Sequence, residues 1–247
     1  MRKTLIVALA ALVALAVSAV AIAQTPGAEL TSSVSPSKAG TKKKPKATKV
    51  TVEIDNADAT QTADQLKIYL PKQLRASGKG IAKCSLTTLE ALDPAKCSKA
   101  SRLGAGTADA VAGVNTAAPN TLKFVVDAFM HTNKKIGFMI RQDIENYEGI
   151  NVVAIGTLKN ASGKYGTVLD VPLPDRAREY PDGNFNGLDR LKVSLYKKKG
   201  KNALFKLNGC PSNRTVPFKL TIGFMPNPNP PKAETVTALA GADCRKN

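Results

Sequence analysis

Residues 181–191 read PDGNFNGLDRL, with Asp182, Asn184, Asn186 and Gly187 at the first, third, fifth and sixth offsets of a calcium loop. Oxygen ligands at alternate positions, followed by a glycine that allows a sharp turn, suit a hard divalent cation. The twelfth position, where a helix–loop–helix site needs a bidentate glutamate, is Val193. One carboxylate and two neutral amides bring little charge, even with Asp189 added. Asp182, Asn184, Asn186 and Asp189 are therefore a weak calcium set. The simpler expectation is a strand-entry turn, because Asp, Asn and Gly accept the left-handed backbone a tight turn demands.

A second candidate is RQDIENYEG, which holds Asp143, Glu145 and Glu148. Two carboxylates at a suitable separation hydrolyse glycosides. Nothing in the spacing sets that separation, and the chain has no Trp and 5% aromatic residues to make a sugar platform. A solvated hairpin tip is expected. Asp170 and Asp175, on either side of VPLP, have less to recommend them. His131 is the single histidine. A general base needs a nucleophile beside it, so an exposed turn histidine is expected instead. Asn160-Ala161-Ser162 and Asn213-Arg214-Thr215 match the N-glycosylation acceptor pattern and read as surface turns.

The third candidate is positive charge. Lys197, Lys198, Lys199 and Lys201 form KKKGK between two apolar alternating runs, the position of a hairpin tip. Lys42, Lys43, Lys44 and Lys46 form a second run. Both are possible polyanion contacts. Nucleic-acid recognition by stacking needs interleaved aromatics, and only Tyr196 and Phe205 are near. No specific nucleic-acid partner is expected; an anionic cell-wall polymer or another surface protein is.

The address follows from the N-terminal residues. Arg2 and Lys3 precede an uncharged apolar run over residues 4–23, which ends in Ala21, Ile22 and Ala23. That is a secretory signal, residues 1–23, with cleavage expected before Gln24. No second long apolar segment follows, so no membrane span is expected after cleavage. Residues 24–48 are rich in Ser, Thr, Pro, Ala and Lys without an aromatic, and are expected to be a disordered basic linker. Residues 49–247 are expected to form a single domain. The chain carries +17. Most of that excess remains once residues 1–47 are set aside, so the body itself is basic.

Cys84, Cys97, Cys210 and Cys244 all follow the signal. An even count in an exported chain points to disulfides. No C-x-x-C is present and His131 is far from every cysteine, so zinc is disfavoured. Four cysteines allow three pairings; the local one, Cys84–Cys97 with Cys210–Cys244, is favoured because each closes a short loop. A loop of that size contributes about 3 kcal/mol through the unfolded state.

The elements that must position these groups alternate with period two. Val50, Val52 and Ile54 share a face, as do Leu66, Ile68 and Leu70 before Pro71. Leu122, Phe124, Val126, Ala128 and Met130 continue the pattern, then Ile136, Phe138 and Ile140. SRLGAGTADAVAG reads as a strand with close backbone packing. NVVAIGTLKN and KYGTVLDVPLP flank a hairpin turn, LDRLKVSLY follows, and ETVTALA closes the sheet. TVPFKLTIGFM, with Val216, Phe218, Leu220, Ile222 and Phe224, is the cleanest strand. Between the first two cysteines, Thr87 and Glu90 have capping-box spacing and Leu86, Leu89 and Leu92 share a face. One short helix ending at Asp93-Pro94 is expected there. The fold class is all-β: an antiparallel β-sandwich of about ten strands with one short disulfide-flanked helix.

Three segments together resemble a group of uncharacterised exported β-sandwich-like proteins of high-GC Gram-positive bacteria. Leu70-Pro71 leads to a Cys84-helix-Cys97 loop, then to Ser101, Gly104 and Gly106 of an S-x-x-G-x-G strand. Later Cys210-Pro211 precedes a Pro217-Phe218 strand, and Cys244 closes the chain. The group's glycine after Leu-Pro is missing, since Lys72 and Gln73 follow. The resemblance spans most of residues 64–244. It implies an extracellular β-sandwich-like domain, supports the two local disulfides and carries no activity. The expectation is an exported non-enzymatic β-domain without a cofactor, secreted or cell-wall associated, acting as a structural or binding module. The alternative is an extracellular hydrolase using carboxylates such as Asp143 and Glu145, supported by calcium.

Overall fold

The structure is a computed structural model that describes residues 27–56, 59–143, 149–179, 183–225 and 235–246. Residues 1–23, expected to be a secretory signal, lie outside the described residues, as do Glu145, Glu148 and Asp182. The chain enters with β1 (Glu29–Ser35), β2 (Lys46–Ala47), β3 (Lys49–Asp55), β4 (Ala63–Pro71) and β5 (Leu74–Ala76). Helix α1 (Leu86–Glu90) precedes β6 (Arg102–Ala112), β7 (Asn120–Met130), β8 (Lys135–Gln142), β9 (Asn151–Asn160) and β10 (Tyr165–Pro172). Helix α2 (Asp175–Arg178) precedes β11 (Asn186–Leu195), β12 (Lys198–Lys199), β13 (Asn202–Ala203) and β14 (Phe205–Leu207). The last strands are β15 (Thr215–Phe224) and β16 (Thr235–Asp243).

Eleven of these strands form one antiparallel sheet in the order β1-β3-β11-β6-β7-β8-β9-β10-β4-β15-β16. The sheet folds over so that β11 and β4 face each other across the interior. Its two edges, β1 and β16, come side by side. Just beyond them, Lys38 and Arg245 form a parallel bridge, with Ala39 N–H donating to Arg245 O at 2.8 Å. This near-closure removes most of the open edge that would invite aggregation.

Alternation dictates what lies inside. On β15, Val216, Phe218, Leu220, Ile222 and Phe224 are all buried, while the residues between them are half-exposed. One continuous core takes the inward positions of every strand of the sheet. The fold is all-β and antiparallel, as its patterning implies.

Two local expectations are corrected. Residues 24–48, expected to be a disordered linker, contain β1, which pairs with β3 from Glu29↔Asp55 to Ser35↔Lys49. Its Leu30, Ser32 and Val34 are buried and its odd positions exposed. A Ser/Thr-rich composition concealed that alternation, and β3 supplies the ladder that composition alone could not foresee. The helix between the cysteines is present, but its cap is Ser85, whose Oγ accepts from Thr88 N–H at 3.1 Å. Leu89 is fully buried while Leu86 is 41% exposed. The flanking Cys84–Cys97 disulfide presses Leu89 onto Phe129 and Met139, on the outer face of β7 and β8.

The small residues of β6 have a steric cause. A Cβ on Gly104 would lie 1.9 Å from Ser194 O, and one on Gly106 2.0 Å from Lys192 O, both on the neighbouring β11. Gly106→Ala is therefore expected to cost roughly 2–4 kcal/mol by overpacking. Gly163→Ala, at a turn with φ +69° and open space around it, should cost about 1 kcal/mol. Urea denaturation of the two variants checks the order; equal costs would contradict the close approach.

Candidate functional site

Two features stand out: a basic end and an apolar chamber. The basic end gathers the C-terminal ends of β1, β4, β7, β9, β11 and β16 with the loops that leave them. Residues 36–48 contribute five lysines, residues 72–83 four basic residues and residues 196–214 six, without one carboxylate among them. Three short strands assemble these segments. β2 pairs with β14, and β14 with β5, placing Lys206 between Ala47 and Arg75. Gly40 N–H donates to Leu207 O at 3.0 Å. β12 and β13 form the expected hairpin, with Gly200 at φ +54° in its turn.

The two lysine runs, about 150 residues apart in sequence, are thus brought to one end of the molecule. Lys42, Lys43, Lys44, Lys198, Lys199 and Lys201 are exposed. Lys197 Nζ donates to Lys99 O and Lys206 Nζ to Lys201 O, each at 2.7 Å. Lys46 lies in β2 and is half-buried. Both disulfides serve this end. Cys84–Cys97 ties the loop after β5, and Cys210–Cys244 ties the loop after β14 to the end of β16. The pairing is the local one. Covalent closure holds together loops whose like charges repel one another.

The chamber runs inside the folded sheet, with a volume of about 130 Å³. Its walls are aliphatic side chains of β3, β4 and β8 to β11, the alanines of β6, and Phe124, Phe138 and Phe205. At the basic end Phe205 of the three-stranded cap completes the lining, and Leu74 and Leu207 of the same cap are buried, each at most 2% exposed. At the far end α2 packs against β9 and β11, and Leu173, Ala177 and Asn186 complete the lining. An apolar void of about this size stays dry and accepts a small apolar guest. Left empty, it costs roughly 3 kcal/mol at about 24 cal/mol per Å³.

The acidic candidates fall elsewhere. Asp143 is exposed beyond β8, its N–H donating to Lys123 O at 2.9 Å. Asp170 is buried on the outer wall, accepting from Gln65 Nε2 at 2.7 Å and paired with Lys159. Asp175 pairs with Arg178 along α2. His131 Nδ1 lies 3.0 Å from Cys84 O; a carbonyl only accepts, so Nδ1 carries the proton. The histidine is half-buried and tied to the disulfide loop rather than free in a turn.

Of the calcium set, Asn186 turns inward, 5% exposed, with Nδ2 donating to Ala177 O at 3.4 Å. Asp189 sits at a bulge of β11, where its main-chain carbonyl accepts from Asn56 N–H at 2.7 Å. Asn184 stands just before the strand, after Gly183 at φ +82°. Among the described residues no group of three or more His, Cys, Asp or Glu is placed to hold a metal. Nor is any helix among them long and apolar enough to cross a membrane. No protein-family model, curated protein or solved structure matches the chain.

Sequence reasoning missed three groups: the chamber, α2 and a buried ion cluster. The signal for α2 was Asp175 after Pro174, with Arg176 and Arg178 in its last turn, the charge order that a helix dipole favours. The ion cluster centres on Asp127, on the outer face of β7. It is 2% exposed and paired with Arg141 at 2.8 Å and with Arg102. The arginines keep 32% and 51% of their side-chain surface in water. Asp127→Ala leaves cations that water can solvate and should cost about 1–2 kcal/mol. Arg102→Ala with Arg141→Ala strands a buried carboxylate and should cost about 3–5 kcal/mol. Denaturant midpoints of the two variants test that order.

Tyr165 gives a pH prediction. Its ring lies 5.5 Å from that of Tyr69, with Lys219 Nζ 3.8 Å above the Tyr69 ring. The Tyr165 hydroxyl is buried without a partner, and burial pushes its pKa up. An unfolded chain releases that proton first, so stability is full below about pH 10 and falls above it. Tyr165→Phe should match or exceed wild type by up to about 1 kcal/mol at neutral pH and lose less at about pH 11. Urea titrations at both pH values with identical wild-type and variant slopes would contradict this.

Proposed function

We propose that the protein is an exported, non-enzymatic binding module that docks on an anionic cell-wall polymer through its basic end. The observation that supports this reading is the assembly of three acid-free lysine segments, distant in sequence, on one end of a rigid sheet. Flexible ammonium groups suit a repeating phosphate or carboxylate chain, which they meet as point charges rather than through fixed geometry. Binding of this kind releases counterions and weakens steeply with salt. Asp143, Asp175 and Glu179 lie at the opposite end beside Arg176 and Arg178, so that end carries no comparable excess of positive charge. The disulfides support an oxidising, extracellular location.

The test is sedimentation with purified cell wall, intact or stripped of its anionic polymer by mild acid. The protein should pellet with intact wall at low salt, remain in solution with stripped wall, and weaken at least about tenfold between 50 and 200 mM salt. Changing Lys42, Lys43, Lys44, Lys197, Lys198 and Lys199 together to Glu should abolish pelleting without lowering the unfolding temperature. Equal binding to stripped wall, or retained binding by the variant, would overturn the proposal.

A further inference from the structure

The chamber has features that a merely imperfect core does not need. Along β11 its lining runs from Leu188 to Leu195, and along the facing β4 from Ala63 to Leu70. Seven steps at about 3.3 Å make roughly 23 Å of strand. Allowing for strand tilt leaves a length of roughly 15–20 Å. A volume of about 130 Å³ spread over that length is one hydrocarbon chain wide. A compact ring would fit only a short part of it, and a second chain would find no room beside the first.

The chemistry of the wall is as selective as its shape. Asn186 is the one polar side chain on a lining otherwise made of aliphatic residues, glycine and three phenylalanines. Such a surface rejects sugars, nucleotides and ions, whose hydrogen bonds would go unmet. The emptiness is local and built in by small side chains. Ala108 and Ala110 on β6 face the chamber, as do Ala63 on β4 and Ala154 on β9. Larger residues at those positions would close it. Elsewhere in the same core, Phe218, Leu220 and Ile222 pack at 0% exposure.

The two ends differ, which gives the site a direction. At the basic end the bore is lined by Phe205 of the buried three-stranded cap. The far end is covered by α2, four residues long, none of them buried. Asn186 Nδ2 to Ala177 O, at 3.4 Å, is a long hydrogen bond from β11 to this cover, and Asn186 Oδ1 is buried without a partner. Arg176 is exposed on α2, and the neighbouring Arg178 pairs with Asp175 while its Nε has no partner. Ala177 lines the bore between these two arginines in sequence, so this end brings cationic side chains near an apolar chamber, a combination that suits a molecule with an anionic head and one apolar tail.

We propose that the chamber binds a single-chain fatty acid, its tail lying along the bore toward Phe205 and its carboxylate meeting Arg176 and Arg178 at α2. A diacyl lipid is excluded by the width, because its second chain would stay in water. This site lies at the end opposite the lysines and stands apart from the polymer docking proposed above.

The experiment is fluorescence titration of the delipidated protein with cis-parinaric acid, a straight-chain fluorescent fatty acid. Saturable uptake of one probe per chain is expected, with displacement by palmitic acid. Competition across saturated acids should strengthen with chain length until the tail spans the bore and then level off. Ala110→Phe and Ala154→Phe narrow the bore and should weaken uptake at least tenfold while keeping or raising the unfolding temperature. Arg176→Ala with Arg178→Ala should weaken the free acid several-fold and leave its methyl ester unaffected. If either narrowed variant fails to fold, the chain-length series in the wild type decides alone. No saturable uptake, no dependence on chain length, or undiminished uptake by a folded narrowed variant would overturn the proposal.

Discussion

The meeting of β1 with β16 is what turns a long antiparallel sheet into an enclosure. An open sheet of eleven strands would present two bare edges and one unprotected apolar face. Folding the sheet over brings β11 against β4 and hides every inward alternating residue in a single core. The price of wrapping so many strands is interior space, since the diameter of a closed sheet grows with strand number. Large side chains on β15 fill one side of that space. The alanines of β6 do not, and the chamber is what remains.

Closure also explains the ends. When strands alternate in direction around an enclosure, their loops fall into two groups, one at each rim. The loops at one rim include the three lysine-rich segments. They need the Cys210–Cys244 and Cys84–Cys97 crosslinks and the small cap of β2, β14 and β5 to hold them. The other rim carries Asp143 and α2 with its mixed charges. A rigid wall between the rims keeps two chemistries about one strand length apart, so a charged surface and an apolar bore coexist without interfering.

The outer wall shows how charge is tolerated on a sheet. Asp127 and Asp170 are both buried there, and each is matched by cations whose heads stay in water. Burying the acid while solvating the base avoids the heavier penalty of removing both partners from water. Lys219 above Tyr69 works in the same way, its charge held by an aromatic face instead of a carboxylate. These groups help to hold the strands in register.

Period-two alternation in residues such as Val50, Val52 and Ile54, or Val216 through Phe224, determined the all-β class, because a strand can hide only one of its faces. Cysteine spacing favoured the local disulfides, and Gly200 and Gly163 marked turns through their backbone freedom. These are local facts, carried by neighbouring residues. The sequence by itself could not show that 29–35 is a strand, because serines dilute its pattern and its partner β3 provides the ladder. Nor could it show that Lys42–Lys46 and Lys197–Lys199 share one end, or that Asn186 lines a chamber. Those outcomes depend on which strands become neighbours and how far the sheet curls before its edges meet. Both are set by the sum of long-range pairings, and no short stretch of residues contains that sum.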